Sequence, residues 1–341
     1  MKALTLLLTL LALCSCASTK EASVSDTANT FISSLSEDQK KLALMEFDTK
    51  ERHNWTFLPT KFTKTKMRKG FRIKDMSEEQ LKKTFDIVKA ITSEAGFNKS
   101  IAIMEYETIM SILEKNPVMR DSKKYFISIF GTTAKEGRWA LRYEGHHLCL
   151  NFTIEDDEII SATPLFLGVN PGRVIDNAGT NHKVGTRLLA VQEDLGFELI
   201  KSFSAEQKKA AVVSKGNPET MRSYDAAPVP MKKAGVAVKN FTKEQKAIFK
   251  KLLYTFTQTV EKGFAQESNY ELDAEMEKMY FSWYGNTEDV KIPHSFIIDG
   301  PVSYIRFSNW ATDSLKTKAN HIHSLWRNRV KDFGYKIEMS K

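Results

Sequence analysis

Cysteine is scarce in this sequence: the 341 residues contain three, and two of them, Cys14 and Cys16, lie at the very start. If the start is removed and Cys16 is modified, Cys149 is the one free thiol, and a single thiol cannot form an internal disulfide. The fold must therefore be stabilised by its apolar core, for which about 325 residues are sufficient.

Long apolar runs and concentrated charge are also missing. No segment after the first residues reaches the roughly 18 apolar residues that a membrane-spanning helix needs. The formal net charge is +8, but Lys and Glu are mixed along the same segments. We interpret this pattern as a solvated surface and expect no nucleic-acid partner.

The first residues have the composition of an export signal. Lys2 precedes an apolar run that is too short to span a bilayer, and small and polar residues follow it. The run Leu13-Cys14-Ser15-Cys16 resembles the box at which bacterial lipoproteins are cleaved and acylated. We expect a signal peptide over residues 1–15, a lipid on Cys16 and a flexible tether over residues 16–30. The alternative is an ordinary cleaved signal peptide.

Four segments share the pattern of a helix capping box, in which a Ser or Thr is followed three residues later by Gln. The boxes are Ser36/Gln39, Ser77/Gln80, Ser204/Gln207 and Thr242/Gln245. Each pair of boxes precedes an aromatic strand ending in Gly, over residues 125–131 and 280–285. An acidic-Gly pair and another strand then follow in both places, at Glu144-Gly145 and Asp299-Gly300.

This correspondence predicts an α+β fold in which antiparallel strand units pack with helices. It also predicts two similar halves with a pseudo-two-fold relation, over residues 30–155 and 200–341. The connector over 156–200 contains a Pro- and Gly-rich stretch that is typical of a loop. The alternative is that capping boxes are common and the match is a coincidence.

Four of the seven histidines lie in two polar segments, 142–151 and 321–328. If a strand continues past Gly145, alternation places Glu144 and His146 on one face and His147 on the other. His321 and His323 would also share a face, from which two imidazoles can chelate one ion. Zinc or copper suits nitrogen ligands, and iron would want an added carboxylate.

We therefore predict that the two segments converge on one site. His147, His321 and His323 are the predicted metal ligands, and Glu144 and His146 are the predicted acid/base groups. Arg142 and Arg327 would bind a small anionic substrate, because guanidinium groups suit carboxylate, sulfate and phosphate. The alternatives are a metal-free polar site and a structural network in which the arginines pair with Glu144 and Asp332.

The same segments resemble a bacterial family called domain of unknown function 3500. The matching motifs are Glu-Gly-His-His-Leu at 144–148, Thr-Pro-Leu-Phe-Leu-Gly at 163–168 and His-Ile-His-Ser-Leu-Trp-Arg at 321–327. The resemblance covers roughly residues 50–338 and implies a secreted or envelope protein, but it implies no particular activity.

These observations favour an envelope hydrolase in which zinc activates water. The cell envelope, as an outer-membrane lipoprotein facing the periplasm or the cell surface, is the expected location. A lipoprotein that captures an anionic or metal-bearing ligand without catalysis is the alternative.

Overall fold

The strands form one mixed, mostly antiparallel sheet in a computed structural model that describes residues 22–59, 68–216, 218, 221, 230–310 and 315–334. The bounds of the strands are β1 Leu44–Met45, β2 Phe71–Arg72, β3 Phe126–Phe130, β4 Arg138–Gly145, β5 Leu148–Glu155, β6 Glu158–Ser161, β7 Leu165–Val169, β8 Val212–Ser214, β9 Val236–Ala237, β10 Tyr280–Gly285, β11 His294–Asp299, β12 Ser303–Asn309 and β13 Ile322–Asn328. Their order in the sheet is β1-β3-β4-β5-β7-β13-β12-β11-β10-β8. The predicted α+β class is confirmed.

Four of the eight helices in the described part of the chain begin at the capping boxes that the sequence predicted. Their bounds are α1 Val24–Ile32, α2 Glu37–Ala43, α3 Glu78–Ile91, α4 Glu94–Leu113, α5 Ala190–Lys201, α6 Ala205–Ala211, α7 Lys243–Thr257 and α8 Lys262–Glu275. All four predicted boxes form, with the Ser or Thr oxygen and the Gln side chain each bonded to a backbone amide. Among these helices none combines the length and apolar character that crossing a bilayer requires.

The two faces of the sheet differ in what covers them. Ile322 and Trp326 of β13 belong to the large apolar cluster that the helices also supply, and the strands beside β13 extend that cluster. Leu325, on the opposite face, belongs to a smaller cluster with Trp55 and Phe57 from the segment before β2. Along β13 the side chains alternate between these faces, as the two-residue period of a strand requires.

Two predictions about local structure are wrong, one on the end of the tether and one on a loop in the connector. The tether expected over residues 16–30 ends early, because Val24–Ile32 form α1 and bury Ala28 and Phe31. Its earlier part lies outside the described residues. The loop expected at Leu165–Val169 is β7, a central strand between β5 and β13. Five apolar residues between two prolines fit a fully buried strand as well as they fit a loop.

The order of the strands is equivalent when it is followed inward from either edge of the sheet. From β1 it runs through β3, β4, β5 and β7, and from β8 it runs through β10, β11, β12 and β13. Each outer short strand pairs in parallel with its neighbour, and the two series meet where β7 pairs with β13. The pseudo-two-fold relation stays a prediction, because strand order alone does not measure superposition.

The helices also correspond. The two capping glutamines of each series bond to one another through their amides, Gln39 with Gln80 and Gln207 with Gln245. The links between the helices of each series meet in a short antiparallel bridge at Thr92 and Val260. Helix α5 packs on α7 as α1 packs on α3. The second series therefore begins at α5, earlier than the predicted residue 200.

Candidate functional site

Three imidazoles from the two histidine segments meet at one point. The Nε2 atom of His321 lies 2.8 Å from Nε2 of His147 and 3.1 Å from Nε2 of His323. One ring nitrogen from each of the three lies within 4.8 Å of the others. The structure thus brings together segments about 170 residues apart. Nitrogen lone pairs at these distances repel one another unless a proton or a cation lies between them.

His147 reaches this point from a two-residue turn, His146-His147, that joins β4 to β5. The backbone of His147 has φ of 64°, a left-handed conformation that is uncommon outside glycine. Neighbouring segments hold the turn: the Tyr125 hydroxyl donates to the carbonyl of His146 at 2.8 Å, and the amide of His147 donates to the carbonyl of Phe57 at 3.0 Å. The amide of Gly168 donates to the carbonyl of His147 at 2.6 Å.

Two glycines make the space for this turn. A Cβ on Gly145 would lie 2.3 Å from Cδ1 of Tyr125, so the tyrosine ring can pack on the turn only if no side chain is present. A Cβ on Gly168 would lie 2.9 Å from Cδ2 of His147. The imidazole of His147 therefore occupies the space that a side chain at position 168 would fill.

His321 and His323 are positioned by the start of β13. His323 pairs with Gly168 of β7 on one side and with β12 on the other. The amide of His321 donates to Oδ1 of Asn309 at 3.2 Å, and Nδ2 of Asn309 donates to the buried carboxylate of Glu193 at 2.7 Å. His321 and His323 are both partly exposed, whereas His147 is buried. The three imidazoles therefore sit near an opening.

Aromatic rings form one wall of the cluster. Phe57 and Phe166 stack with their centroids 4.0 Å apart. Both rings meet His323 edge to face, at centroid distances of 5.1 and 5.2 Å. Such a wall excludes water from one side of His323 and strengthens the electrostatic interactions inside the site.

A second group of charged side chains lies behind the turn. Oε1 of Glu107, from α4, is 2.9 Å from Nδ1 of His146 and 3.8 Å from Nδ1 of His147. An Arg120 nitrogen lies 3.3 Å from the same oxygen, and two Arg120 nitrogens bond to Glu114 at 2.8 Å. The His146 ring stacks on the His147 ring with centroids 3.8 Å apart.

The imidazoles of the cluster are held in their neutral form. Burial lowers the pKa of His147 and of His323 well below the ordinary value, and neighbouring imidazoles lower both further. The pKa of His321 falls to about 3, mainly through burial and then through electrostatic interaction with His146 and Arg120. Burial also lowers the pKa of His146, although Glu107 opposes that shift.

Glu144 does not join this site. His146 and His147 form a turn and not a continuing strand, so the predicted shared face of Glu144 and His146 is wrong. Oε2 of Glu144 accepts from the amide of Thr56 at 2.8 Å, and Oε1 lies 3.2 Å from Nε of Arg142. These buried contacts attach the segment before β2 to the sheet.

The two predicted anion-binding arginines are held in ion pairs. Arg142 contacts Glu51 at 2.9 Å in addition to Glu144. Nε of Arg327 lies 2.6 Å from Oδ2 of Asp332. Both guanidinium groups are buried, and their contacts match the alternative in which the arginines pair with carboxylates. Cys16 lies outside the described residues.

Sequence reasoning missed Glu107 and Arg120. Glu107 is buried within the apolar run of α4, where an ionised side chain is costly without a partner. That contrast of charge and surroundings is the one signal that could have drawn attention to it. Arg120 carries no such signal, because it lies in a connecting segment and reaches its partners through the fold.

A cleft of about 650 Å³ lies away from the imidazoles. Its walls come from the β5–β6 hairpin, the first half of α8 and the far end of β13 at Trp326 and Asn328. Because Trp326 faces away from His323 along the strand, the cleft and the histidine cluster are separate features of the described chain.

Comparison with known proteins gives a family and no activity. No curated protein matches the chain, and no solved structure matches it. One family model, described as a protein of unknown function (DUF3500), matches residues 17–335, nearly the whole length. The chain therefore belongs to the DUF3500 family of proteins of unknown function.

Proposed function

We propose that this protein is a hydrolase that depends on one divalent metal ion held by His147, His321 and His323. The observation that carries the proposal is the convergence of their three Nε2 atoms, with contacts of 2.8 and 3.1 Å. Three imidazole ligands with a fourth position left to water are typical of catalytic zinc.

The distances fit such an ion. Zn–N bonds of about 2.0–2.1 Å in a tetrahedral site separate two ligand nitrogens by about 3.3 Å. The two contacts in the cluster are within about half an ångström of that separation, so small side-chain rotations would admit the ion. An all-nitrogen set favours zinc or copper over magnesium and calcium, which prefer oxygen. Zinc is the ion that we propose, and it would supply a water ionised near neutral pH.

His146 is the acid/base group in this proposal. Its Nδ1 lies 2.9 Å from the Glu107 carboxylate, and a proton held on that nitrogen by Glu107 would leave Nε2 as the basic atom. Its ring stacks directly on the ligand His147. Glu144 has no part in the reaction, because its carboxylate is bonded to Thr56 and Arg142.

A small anionic substrate fits the local charge. Burial lowers the pKa of His323 most, followed by His321 and His146, and the positive charge of Arg306 lowers it further, so a cationic side chain acts on the cluster. An anion arriving at the metal would be attracted by the same charge. Anchoring through an acylated Cys16 would hold the protein in the cell envelope, and mass spectrometry of the mature N-terminus would test that part.

One observation favours a second candidate, a metal-capturing protein without catalysis. The cleft of about 650 Å³ lies at the other end of β13 and not at the histidines. A ligand bound in that cleft would lie on the other face of the sheet from the histidines, so this cleft would not bring a substrate to an ion held there.

Metal analysis tests the proposal. We expect one zinc per chain in purified protein, and at least about 100-fold weaker zinc binding in His147→Ala, His321→Ala and His323→Ala. His182→Ala removes an imidazole that pairs with Glu105 instead, and should leave binding unchanged. Zinc-dependent cleavage of ester or phosphate substrates would support the hydrolase, and zinc binding without any cleavage would support capture. Wild-type protein that binds no transition metal would refute both.

A further inference from the structure

We infer that Glu107 is a positioning residue that fixes the tautomers of both His146 and His147, and that it thereby sets the affinity of the metal centre. This inference rests on the proposed metal centre and deepens it. It concerns a carboxylate that touches neither the ion nor a substrate but acts through the two imidazoles of the turn.

The first support is an unsatisfied atom. Glu107 is 1% exposed, and its Oε1 atom lies close to Nδ1 of His146. Its Oε2 atom is buried and has no hydrogen-bond partner among the residues that the structure describes. A buried carboxylate oxygen without a partner costs about 1–3 kcal/mol or more, so its position indicates an interaction that forms in another state of the site.

The second support is the chemistry of His147. An imidazole that binds metal through Nε2 carries its proton on Nδ1, and that N–H needs an acceptor. Glu107 approaches Nδ1 of His147 at 3.8 Å, which is too long for a hydrogen bond. Binding of an ion would draw the three Nε2 atoms together around it, and a movement of the His147 ring toward Glu107 would let the carboxylate accept from Nδ1 of His147 as well. Oε1 would keep its contact with His146.

Arg120 limits the arrangement to one ion. Glu107, His146 and His147 form a second group with ring and carboxylate atoms close enough for a metal. However, NH1 of Arg120 already lies 3.2 Å from Nδ1 of His146 and 3.3 Å from Oε1 of Glu107. A guanidinium group cannot lose its proton, so this fixed positive charge occupies the place where a second ion would bind.

The chain contains a matched comparison in Glu275. Glu275 has the same position in α8, counted from the first residue, as Glu107 has in α4. It also faces a hairpin turn, between β11 and β12, and there it accepts from the amides of Val302 and Ser303 at 2.8 and 3.0 Å. Both oxygens of Glu275 are thus satisfied by backbone, whereas Glu107 faces imidazoles.

The test compares the variants Glu107→Gln and Glu275→Gln. Competition with a chelator measures their zinc affinity, and thermal unfolding of the metal-free protein measures their stability. We expect Glu107→Gln to weaken zinc binding about 10–100-fold, as loss of a carboxylate behind a ligating histidine does. Glu275→Gln should lower the melting temperature of the metal-free protein and leave zinc affinity within about twofold of wild type.

NMR of nitrogen-labelled imidazoles gives a measurement that needs no variant. In zinc-loaded wild-type protein the proton of His147 should reside on Nδ1, with a shift that indicates a strong hydrogen bond. Zinc binding with unchanged affinity in Glu107→Gln, or His147 protonated on Nε2, would overturn the inference while the metal centre stands. Failure of the wild-type protein to bind zinc would instead overturn the proposed function.

Discussion

Acidification should destabilise the metal-free protein through the imidazoles of the cluster, and His321 gives the magnitude. The folded-state pKa of His321 is about 3, against an ordinary value of 6.5. Above about pH 6.5 both the folded and the unfolded states hold a neutral imidazole, so His321 contributes nothing to pH dependence there. Below about pH 6.5, His321 binds a proton in the unfolded chain but not in the folded chain. The free energy of unfolding therefore falls until the pH nears the folded-state pKa.

At about pH 5, protonation of His321 in the unfolded chain lowers the free energy of unfolding by about 2 kcal/mol. That pH lies about 1.5 units below the unfolded pKa, and each unit corresponds to about 1.36 kcal/mol. His147 and His323 have lowered pKa values and act in the same direction. In His321→Asn the side chain cannot titrate. The loss of unfolding free energy between about pH 7.5 and about pH 5 should therefore be smaller than in wild type by about 2 kcal/mol.

Urea denaturation at the two pH values, with a chelator present, measures this loss. His182→Asn is the matched control, because it removes an imidazole that lies outside the cluster and contacts Glu105. Equal losses in wild type and His321→Asn would mean that His321 ionises freely in the folded protein. The lowered pKa of His321, from which the magnitude was worked, would then be wrong.

Two substitutions distinguish a structural carboxylate from a glycine that gives space to the metal centre. Glu144→Gln should lower the free energy of unfolding in urea denaturation by about 1–3 kcal/mol, because it weakens a buried contact to Arg142. The zinc affinity of this variant should be unchanged, and weaker zinc binding would contradict the prediction. Gly168→Ala should cost about 1–3 kcal/mol and weaken zinc binding measured by chelator competition, because its Cβ would lie 2.9 Å from His147. Gly216→Ala, where a Cβ meets nothing closer than 3.5 Å, is the control, and equal zinc affinity in both glycine variants would contradict the prediction.

The parts of the fold that sequence predicted are those that depend on local chemistry. A capping box needs only residues three apart in the chain, so Ser77 with Gln80 and Thr242 with Gln245 could be identified without knowledge of the fold. The aromatic strands ending in Gly131 and Gly285 also follow from local composition.

The errors in the site come from register and from long-range contacts. Extending β4 by two residues past Gly145 was enough to place Glu144 with His146, because each residue added to a strand changes the face. The turn at His146 instead brings Glu107 to the histidines, across 39 residues of chain and from a helix. Nothing in the local sequence of α4 specifies which turn that helix contacts.

The correspondence of the halves leads to a final prediction about an experimental structure. If strand order, helix caps and the two helical glutamates reflect one repeated unit, superposing α3 to β5 on α7 to β12 should place Glu107 on Glu275 and Gly145 on Gly300. The unit would then be a helical carboxylate set against a hairpin turn, satisfied by amides in one half and by imidazoles in the other. The histidines would then occur in only one of two copies of this helix-and-hairpin unit. Helices α4 and α8 in unrelated positions against their strands would refute this, and the match of Glu107 with Glu275 would be a coincidence of spacing.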